Sequence, residues 1–248
     1  MREENLFNEL RNSYPERLRE NIVDDGLCWA SISNEIPIIE NHFWPENLWE
    51  EAKRKIMFLL KEPNGNEGDD YKDWNWSEGN SIFGNVLAYW LEGLLTTTPT
   101  YCPTYSELSQ NISRYQIFKK QPFAIVNIKK EAGDSIADWD EIWEHAIKNK
   151  VFLKNQIRQI LRPNIIVCGG SNDNNNDYRK MISIAKDILY DDEKNGFVKI
   201  NNWCHYNKSI DVLLIDSYHP TMRSSYSTKI DDMLLNFQQF ISQTGYKN

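Results

Sequence analysis

The chain has 248 residues, a formal net charge of −8, and 40% hydrophobic with 12% aromatic residues. That length and apolar share suit a folded domain with a sizeable core, and no apolar run approaches the roughly 20 residues of a membrane helix. The acidic balance counts against a generic nucleic-acid binder, whose affinity comes largely from cations that neutralise phosphates.

The opening residues Met1-Arg2-Glu3-Glu4-Asn5 carry no apolar signal segment, so a cytoplasmic location is expected. Helix-like spacing covers Glu3 to Asn12 and Pro15 to Asn21, with breaks at Ser13 and Gly26. Phe43-Trp44-Pro45-Glu46 reads as a helix start, with proline in the first turn and acids after it, and that helix is expected to run to about Lys55. Ile56-Met57-Phe58-Leu59-Leu60 then stops abruptly in Lys61-Glu62-Pro63-Asn64-Gly65. An apolar run bounded by turn residues reads as a buried strand delivering polar groups to a loop. Pro63 disfavours helical φ/ψ at Glu62 and fixes its own φ, so the carboxylate sits on stiff backbone. The polar segment 67–80 is expected to be a surface loop, and its Tyr71, Trp74 and Trp76 suggest a stacking platform.

Ser81 to Leu95 has the spacing of a crossover helix, Thr96 to Ser106 breaks it, and a short helix is expected over Glu107 to Phe118. Pro122 to Ile128 is a second buried strand, ending in Asn127, Lys129 and Lys130; Asp138 to Leu161 is helical; Asn164 to Gly170 is a third strand, ending in glycines. The run Ser171 to Asp177 lacks the Gly and terminal Glu of a calcium loop, so it reads as a polar cap on a helix over Tyr178 to Tyr190. A minor strand at Phe197 to Ile200 and a full one at Asp211 to Asp216 follow, then His219-Pro220 and an amphipathic helix over Thr228 to Ser242. The four cysteines, Cys28, Cys102, Cys168 and Cys204, are scattered and read as reduced structural thiols. Apolar strands alternating with helices indicate a parallel sheet covered on both faces, with right-handed crossovers bringing the four strand ends to one edge.

That edge collects Glu62, Asn127, Gly169-Gly170 and His219. Each has a plain structural use: a Glu before Pro can cap a helix or lie solvated, an Asn can satisfy nearby backbone, and His-Pro is often a turn. Their joint arrival is what points to a site, because ligands bind outside the carboxyl ends of parallel strands.

Lys61-Glu62-Pro63-Asn64-Gly65, Ala124-Ile125-Val126-Asn127, Ile166-Val167-Cys168-Gly169-Gly170 and His219-Pro220-Thr221-Met222-Arg223-Ser224 follow one another in an order and rough spacing that resembles the uracil-DNA glycosylase superfamily, from about residue 54 onward. The resemblance implies a three-layer α/β/α sandwich with a short, mainly four-stranded parallel sheet. Residues 1–248 would form a single domain, with 1–50 a helical extension outside the resemblance. It implies cleavage of the N-glycosidic bond of uracil or another damaged base, with damaged or single-stranded DNA as partner. That chemistry needs no metal and no organic cofactor, and a monomer with no membrane association is expected. Glu62 stands where the family carries the acid or amide that positions the attacking water. Asn127 stands where an Asn reads the edge of the flipped pyrimidine, and His219 where a His donates to the base oxygen. Trp74 or Trp76 would stack on the base, with Asn64 beside them, and Arg223 and Ser224 fall in the segment that wedges into DNA. Lys61 stands where the family usually has Gly, and would either narrow the pocket mouth by its bulk or meet a phosphate.

The residue types suit that chemistry. Glycosidic cleavage needs the base outside the stack, an amide to match its donors and acceptors, and a donor for the anion that departs. A carboxylate can orient water and stabilise a cationic sugar together. The chain also departs from the family: Thr221-Met222 replaces Ser-Pro, and the cysteine spacing of the cluster-binding branches is absent. DNA binding by an acidic chain would require Lys61, Lys129, Lys130, Arg223 and Lys229 to line one face. Two other readings stay open: a non-catalytic member binding a base, nucleoside or nucleotide, and an enzyme acting on free nucleosides or RNA.

Overall fold

A computed structural model of the chain describes residues 3–28, 46–63, 74–78, 81–110, 114–133, 138–170 and 180–246. In chain order these form α1 (Glu3–Ser13), β1 (Gly26–Cys28), α2 (Glu46–Glu51), β2 (Ile56–Leu60), α3 (Ile82–Thr96), α4 (Tyr105–Ser109), α5 (Ile117–Lys120), β3 (Phe123–Asn127), α6 (Trp139–Lys148) and α7 (Lys150–Lys154). They continue with β4 (Ile165–Gly169), α8 (Met181–Ile184), β5 (Val198–Lys199), β6 (Cys204–Asn207), β7 (Val212–Ser217) and α9 (Tyr226–Thr244). Local chemistry sets the helix starts: the Ser81, Asp138 and Ser225 side chains accept from the first-turn N–H groups of α3, α6 and α9, and Thr104 and Glu107 form a reciprocal capping box on α4. After α7 the chain widens into π turns over Asn155–Leu161, which end at Arg162 in the left-handed region and at Pro163, which cannot continue a helix.

The strands join one mixed sheet in the order β1-β3-β2-β4-β7-β6-β5. Its centre is parallel, with Leu60 opposite Asn127, Leu59 opposite Cys168 and Gly169 opposite Ser217. The carboxyl ends of β2, β3, β4 and β7 therefore share one edge. Expectation and structure differ at the sides, where antiparallel β1 and β6, together with β5 inside the minor strand expected at Phe197 to Ile200, enlarge the four-stranded sheet to seven strands. Gly26-Leu27-Cys28 is too short, and Cys204-His205-Tyr206-Asn207 too polar, to read as an apolar run. β1 is an edge strand and needs less apolar sequence because one side pairs with nothing further, whereas β6 is held between β7 and the two-residue outer strand β5.

Both faces of the sheet are covered, since alternate residues of the central strands enter two separate cores. Phe58, Ile125 and Val167 pack on one face with α3 and α9; Met57, Val126 and Ile166 pack on the other with α1, α6, α7 and α8. Each buried Leu or Phe contributes about 1.5–3 kcal/mol relative to exposure, so two dry cores fix the sheet and with it the positions of its strand ends. The helix expected to reach Lys55 stops at Glu51, and the one expected over Glu107 to Phe118 is divided, with residues 111–113 outside the described set. The expected starts at Phe43, Trp44 and Pro45, Asn64, most of the 67–80 segment and the 171–177 run also lie outside the described residues. The first 50 residues are not wholly helical, because β1 lies in the sheet itself. Among the described residues, no helix is long and apolar enough to cross a membrane.

Candidate functional site

Glu62 is fixed by backbone that keeps pairing after β2 and β3 have formally ended. Ile128 N–H donates to Leu60 O at 3.0 Å, Lys129 N–H to Lys61 O at 2.9 Å and Gly133 N–H to Pro63 O at 3.0 Å. These bonds carry Glu62 alongside Lys129, whose Nζ stands 3.2 Å from Glu62 Oε2 and 2.8 Å from Glu141 Oε1 of α6. Burial works against the Lys129 ammonium, but its bonds to Glu141 and Glu62 outweigh it and hold its pKa above the usual lysine value. The carboxylate lies over Gly133, where any Cβ would collide with it, so glycine makes the seat.

His219 follows β7 and stands beside the end of β4. Gly170, whose φ of 101° is left-handed, leaves the space: a Cβ there would come within 3.1 Å of Lys61 Cε and 3.9 Å of His219 Cβ. Lys61 thus reaches from the end of β2 to the end of β7, with its Nζ 4.1 Å from the centre of the Trp139 ring. Thr221 N–H donates to His219 Nδ1 at 3.3 Å and the Thr221 hydroxyl lies 2.9 Å from the same nitrogen, an arrangement that suits a neutral ring carrying its proton on Nε2. Burial, then the positive charges of Lys61 and Lys229, push its pKa down to about 4. At neutral pH the ring is an uncharged Nε2–H donor.

Asn127 closes β3 with its side chain fully buried. Its backbone N–H and its Nδ2 both donate to Asp25 Oδ2, at 2.7 and 3.2 Å. Asp25 directly precedes β1, so the segment outside the family resemblance reaches the site. Asn127 Oδ1 is buried and finds no hydrogen-bond partner among the described residues.

The remaining candidates divide. Trp76 is core: it is buried, with its ring 5.7 Å from Phe123 and 6.2 Å from Phe118. Half-buried Trp74, 5.3 Å from Trp76, is the better placed of the two to stack on a ligand. Arg223 is exposed, while Ser224 is half-buried with an Oγ that meets no partner among the described residues. The lysine face is not formed as expected. Lys130 is bonded inside to Asp25 and Gln156, Lys129 is held by two carboxylates, and Lys229 lies under the loop, donating to Pro220 O at 3.2 Å and Met222 O at 3.1 Å. An apolar stem with a polar tip can satisfy both core packing and loop carbonyls, which is why three of these lysines went inside. Asp25, Gly133 and Glu141 were missed by sequence reasoning, because each acts on a residue distant in the chain or through what it lacks. Among the described residues, no group of three or more His, Cys, Asp or Glu side chains is arranged to hold a metal ion. No protein-family model matches the sequence, and no curated protein matches it.

Proposed function

We propose that the chain is a hydrolase of N-glycosidic bonds related in fold to the uracil-DNA glycosylases, acting on uracil or another damaged base in DNA. The observation that carries this reading is a single sheet edge holding a seated carboxylate, a neutral histidine donor and a buried amide with an unpaired oxygen. In the proposed reaction a water held by Glu62 adds to the sugar C1′ as the C1′–N bond breaks, and the bonding pair leaves with the base as an anion. His219 Nε2–H donates to the base oxygen where that charge collects, a contact stronger in the transition state than before it. Asn127 accepts from the base, and the water's proton passes to solvent or to the departing anion. Because Glu62 is ion-paired to Lys129, its role is to orient water and to stabilise the cationic sugar more than to take a full proton.

The test is abasic-site formation on oligonucleotides carrying uracil, hypoxanthine or alkylated bases, single- and double-stranded. Glu62→Gln, Asn127→Ala and His219→Ala should each lower the rate by roughly 10²–10³-fold without loss of the folded state. No abasic sites on any substrate at high enzyme concentration would refute the proposal. A second reading is a binder or hydrolase of free bases, nucleosides or RNA at the same edge. It is favoured by the inward turn of Lys129, Lys130 and Lys229, which leaves fewer cations for a duplex backbone.

A further inference from the structure

An asparagine amide can present either its oxygen or its NH2 group to a ligand, and which it presents decides what it recognises. At Asn127 the choice is made by one carboxylate. Asp25 Oδ2 receives the Asn127 Nδ2 and its backbone N–H, and a carboxylate only accepts. The opposite orientation would set Asn127 Oδ1 against Asp25, acceptor against acceptor. Asp25 cannot turn away, because its Oδ1 takes Lys130 Nζ at 2.6 Å and Gln156 Nε2 at 3.0 Å. Lys130 Nζ also donates to Gln156 Oε1 at 3.0 Å, which closes the network. Asp25, Asn127, Lys130 and Gln156 are all at most 1% exposed, so water does not compete for these bonds. What remains is Asn127 Oδ1, an acceptor enclosed in the protein and unpartnered among the described residues.

We propose that Asp25 is the specificity-determining positioning residue of this site: it locks the Asn127 amide so that Oδ1 faces the ligand, which must then offer a ring N–H. The proposal rests on the functional reading above and extends it to the chemistry of the base. Lactam and imide bases, which carry a protonated ring nitrogen beside a carbonyl, satisfy the acceptor. Bases with a lone pair or a methyl at that nitrogen leave it buried and unpaired, the kind of mismatch that discriminates most strongly. The selecting residue comes from the segment before β1.

The experiment measures binding of free uracil and of 3-methyluracil to the full chain, by calorimetry, in the wild type and in the double variant D25L/K130M. Removing both members of the buried ion pair avoids leaving one charge stranded, and a leucine at position 25 offers no acceptor to hold either orientation of Asn127. The wild type should bind 3-methyluracil about tenfold or more weakly than uracil, and the double variant should prefer neither by more than about threefold. A folded double variant that keeps the wild-type preference overturns the proposal, as does a wild type that binds both equally or binds neither. If the double variant does not fold, the Asn127 side-chain amide resonances of the wild type decide: they should shift with uracil and not with 3-methyluracil, and no shift with uracil overturns it. A wild type that selects uracil but forms no abasic sites removes the glycosylase reading alone. Abasic-site formation with selectivity untouched by D25L/K130M removes the role of Asp25 alone.

Discussion

His219 is kept neutral by burial and by two lysines that differ in position. Lys61 approaches from the end of β2, whereas Lys229 lies buried beneath the His219 loop and donates to two of its carbonyls. Lys229→Met should therefore have two separable effects. Loss of a nearby positive charge should raise the His219 pKa from about 4 toward its ordinary value, readable by NMR titration of the ring. Loss of the amine should leave the Pro220 and Met222 carbonyls unsatisfied and loosen the loop, lowering any activity that uses Nε2–H. Lysine at 229 gave no sign of this in the sequence, where it reads as one more cation in the stretch after His219-Pro220.

At the scale of elements, the site is built where β2 and β3 continue to pair beyond their ends. That continuation sets Pro63 against Gly133 and leaves room for the Glu62 carboxylate above the glycine. Gly133→Ala should displace Glu62 with little change to the two cores. The expectation is a fall in activity comparable to that of Glu62→Gln, with the unfolding midpoint in urea lowered by no more than about 1 kcal/mol equivalent. Equal activity in Gly133→Ala and wild type would show that the seat is not needed. The central strands were legible because they are buried on both faces and so read as unbroken apolar runs. Asn127 and His219 were legible as interruptions at the ends of such runs. The glycine was not, since a residue that acts by leaving space carries no positive signal, and neither were β1 and β6, whose pairing depends on partners far along the chain.

At the scale of the whole molecule, titration works in two directions. Glu3, half-buried as a residue, turns its carboxyl inward to accept from Gln156 Nε2 and Leu27 N–H, and burial raises its pKa from 4.5 to about 7 despite those bonds. Between these values the folded chain holds a proton that the unfolded chain has released, so this group's contribution is full below about pH 4.5 and is lost as pH rises through about 7. His219 and His205, both pushed down to about 4, act oppositely, and their contribution is lost as pH falls from about 6.5 through 4. Glu3→Gln removes only the first of these contributions. Its stability relative to wild type should therefore increase between pH 5 and pH 8, by on the order of 2–3 kcal/mol, as measured by urea unfolding at both pH values. A difference that stays constant with pH would show that Glu3 does not titrate in this window.

The junction of β1 with β3 also has a temporal side. Asp25 and Lys130 neutralise one another in the finished protein, yet 105 positions separate them along the chain. At about 5–20 residues per second, a ribosome takes roughly 5–20 s to cover that interval. During it, Asp25 and the strand beside it have neither the lysine nor the β3 edge they will later join. Closing so long a loop is slow compared with local helix formation, so the contact that orients Asn127 forms only after β3 and Lys130 have been made. Recognition in this chain thus waits for its first segment to return to the sheet.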